Sequence, residues 1–510
     1  MNYKVATTAL SIFLAFYIHD SLCAQTFAES ALLFSRIRTG GTARIQALGG
    51  TQNSLGGDVS STYYNPAGLG MFNRSQVEFS VGVFIDSYSS TYLNDTENTV
   101  KNSLNIPNFG IAISRKYRRS DTFVSGAFGI NFNITNNFNS VITYKGKVQD
   151  GSIIDYFIDQ ANGRDTLQFF PGGDNFQTVT WLAYHNFLIN PRIVGGITRP
   201  DEYDSYVPVQ DQTRTETIKT SGSQKQWSFS YGLNIQDKIF LGIGLGVSTF
   251  NYKSEKTYQE IFTKEPLNTL RLSEKRGIKG SALNITIGGI YRPIDQLQFG
   301  LSFGSPSDYN ISDNYSASMT TSWNNLKLRN TILTEESATT GNSELPYRLE
   351  TPMRFAFGAT YFLRKKGFVS ADVEWFDYGK SKYSSTNNQQ SNVLYIYDWT
   401  IDNNAIKASY KSSFNVRIGS EYRIKKFYVR AGFNYMPSPY KSDPNGISTT
   451  QLFYSSGLGY RRNNFFVDLA IVYGTEGGAY QPYTLSFKKT PNVEMKRQNY
   501  NMIITAGLSF

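Results

Sequence analysis

Residues 499–510 read N-Y-N-M-I-I-T-A-G-L-S-F, and this stretch decides which folds the 510-residue chain can adopt. In an extended strand, successive side chains point to opposite faces. One face therefore carries Tyr500, Met502, Ile504, Ala506, Leu508 and Phe510. The other carries Asn501, Thr505, Gly507 and Ser509, with Ile503 as its apolar exception. The pattern predicts a β-strand with one apolar and one polar face, which suits a wall between lipid and water but also a soluble sheet.

The amino-acid composition favours a sheet that separates lipid from water over a soluble sheet. A chain of this length accommodates about two to four soluble domains or one large barrel. After the N-terminus, no apolar run approaches the roughly 18 residues that a membrane-spanning helix needs. The chain contains 35 Tyr, 36 Phe and 43 Gly, but only 18% of its residues are charged. Aromatic side chains suit lipid-facing strands and glycines suit tight turns and crowded inner faces, so composition indicates a β-barrel.

The first 24 residues are predicted to be a secretory signal peptide. Lys4 supplies the basic start, residues 6–18 form the apolar centre, and small residues precede a cleavage position after Ala24. Cys23 is the only cysteine, but the bulky Leu22 before it fits a lipid-attachment site poorly. The mature chain is therefore expected to contain neither disulfides nor thiolate ligands.

Short and long connections alternate along the rest of the chain. Fourteen strand-like stretches follow residue 74, at 75–88, 105–117, 121–146, 225–238, 239–258, 278–293, 296–321, 346–364, 367–384, 408–425, 427–440, 448–462, 464–476 and 496–510. Short turns on one rim, long loops on the other and an even strand number are typical of single-chain outer-membrane barrels. We therefore predict an all-β membrane protein, a 14-stranded antiparallel transmembrane β-barrel over residues 75–510, with both termini in the periplasm.

Charged side chains indicate which strand faces point inward. Asp372 and Glu374 alternate with Val369, Val373 and Trp375. A lipid-facing charge at mid-depth costs about 2–4 kcal/mol for Arg or Lys, and somewhat less for Asp or Glu. The same argument directs eight charged residues into the lumen: Arg354, Asp372, Glu374, Arg417, Glu421, Arg423, Arg430 and Asp468. They either pair across the wall and anchor a plug, or one arginine holds the carboxylate of a ligand.

The net charge of +10 suits membrane lipid better than nucleic acid. Loops of an exported barrel would face the anionic headgroups of outer-membrane lipid and lipopolysaccharide. We expect no nucleic-acid partner. The terminal Phe510 resembles the last residue of bacterial outer-membrane barrels, and this resemblance implies recognition by the outer-membrane assembly machinery.

Two segments need separate interpretation. Residues 241–247, L-G-I-G-L-G-V, place Gly242, Gly244 and Gly246 on one strand face, with no helix after them, which argues against a dinucleotide-binding motif. We interpret these glycines as an inner surface on which another segment packs closely. Residues 147–224 are too long for a plain loop and are predicted to be an extracellular insertion.

Two amphipathic helices are predicted within this insertion. Their apolar faces include Ile153, Phe157, Ile158, Trp181, Leu182, Phe187 and Leu188. These residues either cover one another in a small satellite core or line a groove that binds an apolar ligand.

Residues 25–74 are predicted to form a compact plug, which we call the hatch. A short helix is expected over 27–37, and glycine-rich, weakly charged stretches follow, which favours packing against other backbone. The segment ends in S-S-T-Y-Y-N-P-A-G-L-G at 60–70, directly before the first strand. Within it, Asn65, Pro66, Ala67 and Gly68 form an N-P-A-G motif.

This motif and its position resemble the hatch of the FadL-type long-chain fatty acid transporter family. The resemblance extends over the mature chain, through the strand number, the enlarged outer loop and the terminal Phe. It implies a monomeric barrel blocked by its hatch, which captures an apolar molecule at the outer rim. It further implies hatch movement and passage through a gap in the wall, without an energy source. The asparagine-rich stretch 131–140, which predicts a bulge or kink, is a candidate for that gap.

Catalytic and metal chemistry is not expected. After removal of the leader, His185 is the single histidine and no cysteine remains, so neither metal ligands nor a cofactor are predicted. His185 is interpreted as an incidental residue of a surface helix, and we predict no enzyme.

Two classes of function remain. The first is passive uptake of hydrophobic small molecules, long-chain fatty acids or hydrocarbons, since burying each methylene is worth about 0.8 kcal/mol. The alternative is a surface docking or secretion-accessory barrel that binds exported proteins through its aromatic-rich loops. An open polar porin is a third possibility, against which the hatch argues.

Overall fold

The computed structural model describes residues 21–117, 122–328, 331–386 and 397–510, with side chains from Phe27 onward. Residues 1–20 of the predicted signal peptide lie outside this part of the chain. In the described ranges, β-strands dominate and helices are short.

The strands are β1 (Gln76–Tyr92), β2 (Asp95–Lys116), β3 (Phe123–Asn137), β4 (Ser140–Val148), β5 (Asn190–Val194), β6 (Ile197–Asp204), β7 (Gln212–Ile235), β8 (Ile239–Phe262), β9 (Leu267–Ile294), β10 (Leu297–Gly304), β11 (Asp308–Leu328), β12 (Thr331–Thr339), β13 (Ser343–Glu350), β14 (Arg354–Phe362), β15 (Gly367–Asp377), β16 (Lys382–Ser385), β17 (Ser412–Ile424), β18 (Phe427–Met436), β19 (Gln451–Arg462), β20 (Phe465–Tyr480) and β21 (Val493–Ser509). Nineteen of them form one sheet, and β5 pairs with β6 outside it.

This sheet closes into a cylinder. β1 pairs antiparallel with β21, from Gln76↔Ser509 to Thr91↔Glu494, and so joins the two ends of the sheet. Four of the fourteen wall strands are interrupted, as β3/β4, β10/β11, β13/β14 and β15/β16, while β12 pairs with the outer end of β11. The predicted 14-stranded antiparallel barrel is confirmed.

Strand faces follow the predicted alternation. On β9, Leu283, Ile285 and Ile287 are 61%, 47% and 50% exposed, whereas Ala282 and Thr286 on the opposite face are buried. Apolar side chains on the outer surface suit lipid, because a bilayer does not penalise them as water does. The interior therefore receives the polar side chains of the wall.

The helices are α1 (Ser21–Ser35), α2 (Ala43–Ala47), α3 (Ser61–Tyr64), α4 (Ile153–Ala161), α5 (Val179–His185) and α6 (Thr400–Ser409). Turns of 3₁₀ helix lie at Pro66–Met71, Thr166–Phe169, Tyr378–Lys380 and Pro444–Gly446. None of the helices in the described ranges combines the length and apolar character that a bilayer crossing demands.

The N-terminal segment fills the lumen in two tiers. The lower tier, the hatch core around α2 and α3, buries Ile45, Leu48, Val59 and Leu69 completely. The upper tier is α1, which packs against α6 and the inner faces of the wall strands. The helix expected over 27–37 is present, but it ends earlier, at Ser35.

The outer insertion is shorter than the sequence suggested. β4 extends to Val148 and β7 begins at Gln212, well before the predicted start at residue 225. The first half of β7 is polar on both faces, because it rises above the lipid and pairs with β4 and β8 there. The first half of β7 therefore forms a strand without the alternation of apolar and polar side chains by which the other strands were predicted.

Candidate hatch and ligand cavity

The N-P-A-G motif builds a rigid corner of the hatch. Asn65 precedes the 3₁₀ turn, and its Oδ1 accepts a hydrogen bond from Ala67 N at 3.1 Å. Its Nδ2 donates to the Asn53 carbonyl at 2.6 Å, which ties two hatch loops together. Pro66 occupies the first turn, where a missing N–H costs nothing. Gly68 lies where a side chain would strike Ser61 Oγ.

Bare backbone of the wall receives this corner. A Cβ atom on Gly242 would collide with Ala67 N, and one on Gly288 would collide with Asn65 Oδ1. A Cβ on Gly232 would lie 2.5 Å from the Pro66 carbonyl oxygen. The inward glycines therefore let two backbones approach within contact distance. Gly244 and Gly246 instead face mainly wall side chains.

Two wall carboxylates of the predicted network bind hatch and wall together. Asp372 accepts hydrogen bonds from the backbone N–H groups of Gln52 and Asn53 at 2.8 and 2.9 Å. Glu421 accepts from Arg44 of the hatch at 3.3 Å. Because these acceptors are buried, each anchors a hatch loop against a fixed strand.

The other network residues pair mainly with one another. Glu374 pairs with Arg417 and, at 3.6 Å, with Arg354. Arg430 bridges Glu421 and Asp468, with 2.7 Å to each. Arg423 stands apart from the predicted network, because it is exposed near the β17–β18 turn and donates to the Lys425 carbonyl.

A second arginine cluster was missed by the sequence analysis. Arg38 Nη2 lies 3.1 Å from Glu476, and Arg36 and Arg497 each lie 3.6 Å from the same carboxylate. Arg497 also pairs with Asp86 at 2.6 Å. The signal was present in the R-I-R spacing at 36–38, which puts both hatch arginines on one side of an extended chain.

This cluster lines part of a half-open cavity of about 360 Å³. Apolar side chains line the cavity elsewhere: Leu32 and Leu33 of α1, Phe138, Ile142, Tyr252 and Met495. Around Glu476, the three arginines outnumber Glu476 and Asp86, and a further carboxylate, Glu29 of α1, also lines the cavity. The cavity is therefore amphipathic and lies above the hatch core, beside α1.

The wall is interrupted beside the same cavity. β2 and β3 pair up to Asn108↔Asn133, and β2 beyond this point pairs with β1. On the other side, β3 breaks at Asn137 and continues as β4, which pairs with β7. Side chains partly bridge the interruption, since Asn137 Nδ2 donates to Ser103 Oγ at 3.3 Å. The structure thus has a break within the predicted 131–140 kink.

Residues 136–138 of this kink also line the cavity. Pro107 lies on β2 next to the last paired residue, and its lack of an N–H suits a strand position without a partner. The break and the cavity therefore adjoin one another.

The seven residues proposed as a groove lie together in an outer cap. Phe157, Leu182 and Leu188 are fully buried, and Ile153 is 5% exposed. Ile158, Trp181 and Phe187 pack around them at partial exposure. His185 stacks on Trp181, with 5.1 Å between ring centroids. The residues around the 360 Å³ cavity do not include any of the seven, so the cap forms a separate core.

A buried ion pair fastens this cap to the wall. Arg214 Nη2 and Glu260 Oε1 are 3.0 Å apart, and both side chains are essentially inaccessible to solvent. Glu260 also accepts from Ile153 N at the start of α4. In α4, burial raises the pKa of the Asp155 carboxyl, which accepts a hydrogen bond from Ser152 N.

Aromatic side chains enclose α1. Phe27 lies 5.1 Å from Trp399 and 5.6 Å from Tyr383 between ring centroids, and its carbonyl accepts from the Tyr383 hydroxyl. Phe34 stacks on Phe250 at 4.0 Å.

No group of His, Cys, Asp and Glu suited to a metal ion occurs among the described residues.

A closed wall, an internal plug and an amphipathic cavity inside the barrel define an outer-membrane transport barrel. The family model for the outer membrane protein transport protein (OMPP1/FadL/TodX) matches residues 198–504, and the chain belongs to this family. Its members are outer-membrane channels for hydrophobic compounds and are not enzymes.

Two solved structures are similar to this chain at low sequence identity. A Pseudomonas aeruginosa FadL homologue is 10% identical, with a TM-score of 0.56, covering 93% of this chain and 99% of its own. The P. putida toluene transporter TodX is 12% identical, with a TM-score of 0.49 and coverages of 92% and 99%. No curated protein matches the chain.

Proposed function

We propose that the barrel takes up hydrophobic small molecules, long-chain fatty acids or hydrocarbons, passively from outside the cell. The observation that carries this proposal is the amphipathic cavity of about 360 Å³ directly beside a break in the wall. Its volume lies within the range of about 300–1,000 Å³ that small-molecule sites occupy. Such a site needs a binding surface and a path to the membrane, and these two features supply both.

Desolvation provides the driving force. Each methylene that moves from water to an apolar surface is worth about 0.8 kcal/mol, so Leu32, Leu33 and Met495 would hold an alkyl chain without specific chemistry. Arg36 and Arg38, which line the cavity, would donate hydrogen bonds to a carboxylate where the ligand has one. Both proposed ligand types therefore fit the same cavity.

The break between β2 and β3/β4 is proposed as the exit. The hatch core below is fastened through Asp372 and the glycine surface, so a downward route requires that many buried contacts break. A sideways route requires only that side-chain contacts such as Asn137–Ser103 separate. A molecule leaving here enters the bilayer, which is its most favourable solvent.

Closing the break chemically tests this route. The double variant Ser103→Cys/Asn137→Cys introduces two thiols into a chain whose one native cysteine, Cys23, lies in the predicted leader. A short, reversible bifunctional thiol reagent should abolish fatty-acid uptake by cells, and reduction should restore it. Binding of a fluorescent fatty acid to the purified barrel should persist while uptake is blocked.

A matched pair across an intact ladder provides the control. Thr217 and Thr257 lie directly opposite one another on β7 and β8, so bridging Thr217→Cys/Thr257→Cys should leave uptake unchanged. Full uptake through the bridged Ser103/Asn137 variant would overturn the exit. If the native barrel bound neither fatty acids nor hydrocarbons, the cavity assignment would be overturned.

The docking alternative has one specific observation in its favour. The β5–β6 hairpin exposes Ile193 and Ile197 at its tip, at 59% and 66%. Exposed apolar side chains on an outer loop suit contact with another protein. Under our proposal, replacing both residues by Ser should leave uptake intact. Docking would be favoured instead if uptake were absent throughout and the Ser variant lost a stable, co-purifying exported protein.

A further inference from the structure

On one side of the barrel, the outer surface changes from apolar to polar above the band of apolar side chains that faces lipid, which we call the apolar belt. Trp227 on β7, Leu245 on β8 and Leu283 on β9 are exposed apolar residues. Toward the extracellular rim, the outward positions next to them are polar. In register, Lys225 lies opposite Thr249, and Thr249 lies opposite Ser281. This part of the wall therefore stands at the height of the lipid headgroups.

Unpaired cations cover this polar area. Its exposed lysines are Lys219, Lys225, Lys253, Lys275 and Lys279, which together with Arg348 we call the cationic surface. Within the described ranges, ion pairs of lysine involve Lys380 and Lys488 and leave these five without one.

Acidic residues offset the charge only partly. Arg348 pairs with Asp308, Glu344 accepts a hydrogen bond from Ser312 Oγ at 2.7 Å, and Glu255 lies opposite Lys219 and Lys275. Glu350, opposite Asp308, is also exposed, so six basic groups face four carboxylates. Elsewhere on the barrel, the corresponding end of β21 presents one exposed lysine, Lys496, with one exposed carboxylate, Glu494.

A shallow concavity of about 680 Å³ lies within the cationic surface. Its lining includes Lys279, Ser281, Asn310, Ser312 and Arg348. Ser312 lies opposite Lys279, and Asn310 lies between Ser281 and Arg348 on the neighbouring strands. Because Arg348 is engaged with Asp308 and Ser312 with Glu344, the donors that remain here are the ammonium of Lys279, the hydroxyl of Ser281 and the amide of Asn310. Phosphate and sugar oxygens accept hydrogen bonds from such donors.

We propose that the cationic surface binds the phosphate groups of lipid A, the phosphorylated glycolipid of the outer leaflet. The inference depends on the outer-membrane position of the barrel and is independent of the transported ligand. Acyl chains of lipid A lie against the apolar belt, while its phosphates and sugars reach the lysines and the polar concavity above. Attraction of basic side chains to anionic lipid near a membrane surface supplies the affinity and makes it sensitive to salt.

Neutralising four lysines tests the proposal. The purified full-length barrel in neutral detergent is titrated with bis-phosphorylated lipid A at fixed salt, and complexes are counted by native mass spectrometry. Lys225→Gln/Lys253→Gln/Lys275→Gln/Lys279→Gln should weaken binding about tenfold or more. The corresponding Lys→Arg variant should bind as the native barrel does. Heat-dependent electrophoretic mobility reports whether each barrel is folded. If the quadruple variant does not fold, Lys279→Gln alone replaces it in the test, with about threefold weaker binding expected.

A control with equal charge change uses the opposite rim. Lys365, Lys366, Lys425 and Lys426 occupy short turns and are exposed, so their replacement by Gln should alter binding less than about twofold. Dephosphorylated lipid A should bind the native barrel weakly. Native-like affinity of the first variant, equal losses in both variants, or equal binding of phosphorylated and dephosphorylated lipid A would each overturn the proposal.

Discussion

At the scale of single residues, the hatch motif and the wall glycines explain each other. Asn65 and Pro66 form a corner that rests with its backbone on Gly242 and with its side chains on Gly288, far away in the sequence. The sequence predicted a bare inner surface on β8 and a plug before the barrel, but it did not show that the two meet. Nothing in a local pattern encodes contacts between residues so widely separated in the chain. The contact between the motif and its glycines is visible only in the three-dimensional structure.

The variant Gly242→Ala tests this contact. Its Cβ would collide with Ala67 N, so the hatch must shift, which costs about 1–3 kcal/mol as overpacking. We expect amide hydrogen exchange of residues 60–70 to accelerate correspondingly while strand exchange stays slow. Gly277→Ala is the matched control, because a Cβ there meets nothing within 4 Å. Equal exchange in both variants would show that the hatch does not depend on the bare surface.

At the scale of elements, sequence patterns were informative where lipid imposes them. The wall strands and their inward carboxylates followed from apolar alternation, because a misplaced charge in lipid is costly. Above the bilayer this constraint disappears, so the outer parts of β7 and β9 and the β5–β6 hairpin were not predicted. Likewise, helical spacing identified α4 and α5 but left open whether their apolar faces meet one another or a ligand.

The cap depends on the buried Arg214–Glu260 pair. Glu260→Gln leaves the Arg214 charge uncompensated in a buried site, which costs about 3–5 kcal/mol. We expect proteases added to intact cells to cleave between residues 149 and 211 in this variant, with the barrel still folded. Glu202→Gln breaks an exposed pair with Arg192 in the same insertion and should cost less than about 1 kcal/mol. A cap that resists proteolysis equally in both variants would contradict the assigned role of the ion pair.

At the scale of the whole molecule, wall and hatch are separable in their electrostatics. Arg417 pairs with Glu374, and Arg430 pairs with Asp468, all on wall strands. The hatch adds Arg44 to Glu421, and Arg36 and Arg38 to Glu476. Its removal leaves these two carboxylates with Arg430 and Arg497 of the wall. We therefore expect a variant that joins the predicted leader directly to Ser75 to insert as a folded barrel.

Such a barrel should conduct ions. The native lumen is filled by the hatch core and α1, so planar bilayers containing the native protein should show no steady conductance. Without residues 25–74, the polar inner wall would surround water, and large salt-dependent currents should appear, because inward polar and charged groups hydrate readily. Gly242→Ala, which only shifts the hatch, is the appropriate intermediate and should give brief openings at most. A silent barrel without its hatch would mean that wall side chains alone close the lumen, and the two-tier description of the plug would then fail.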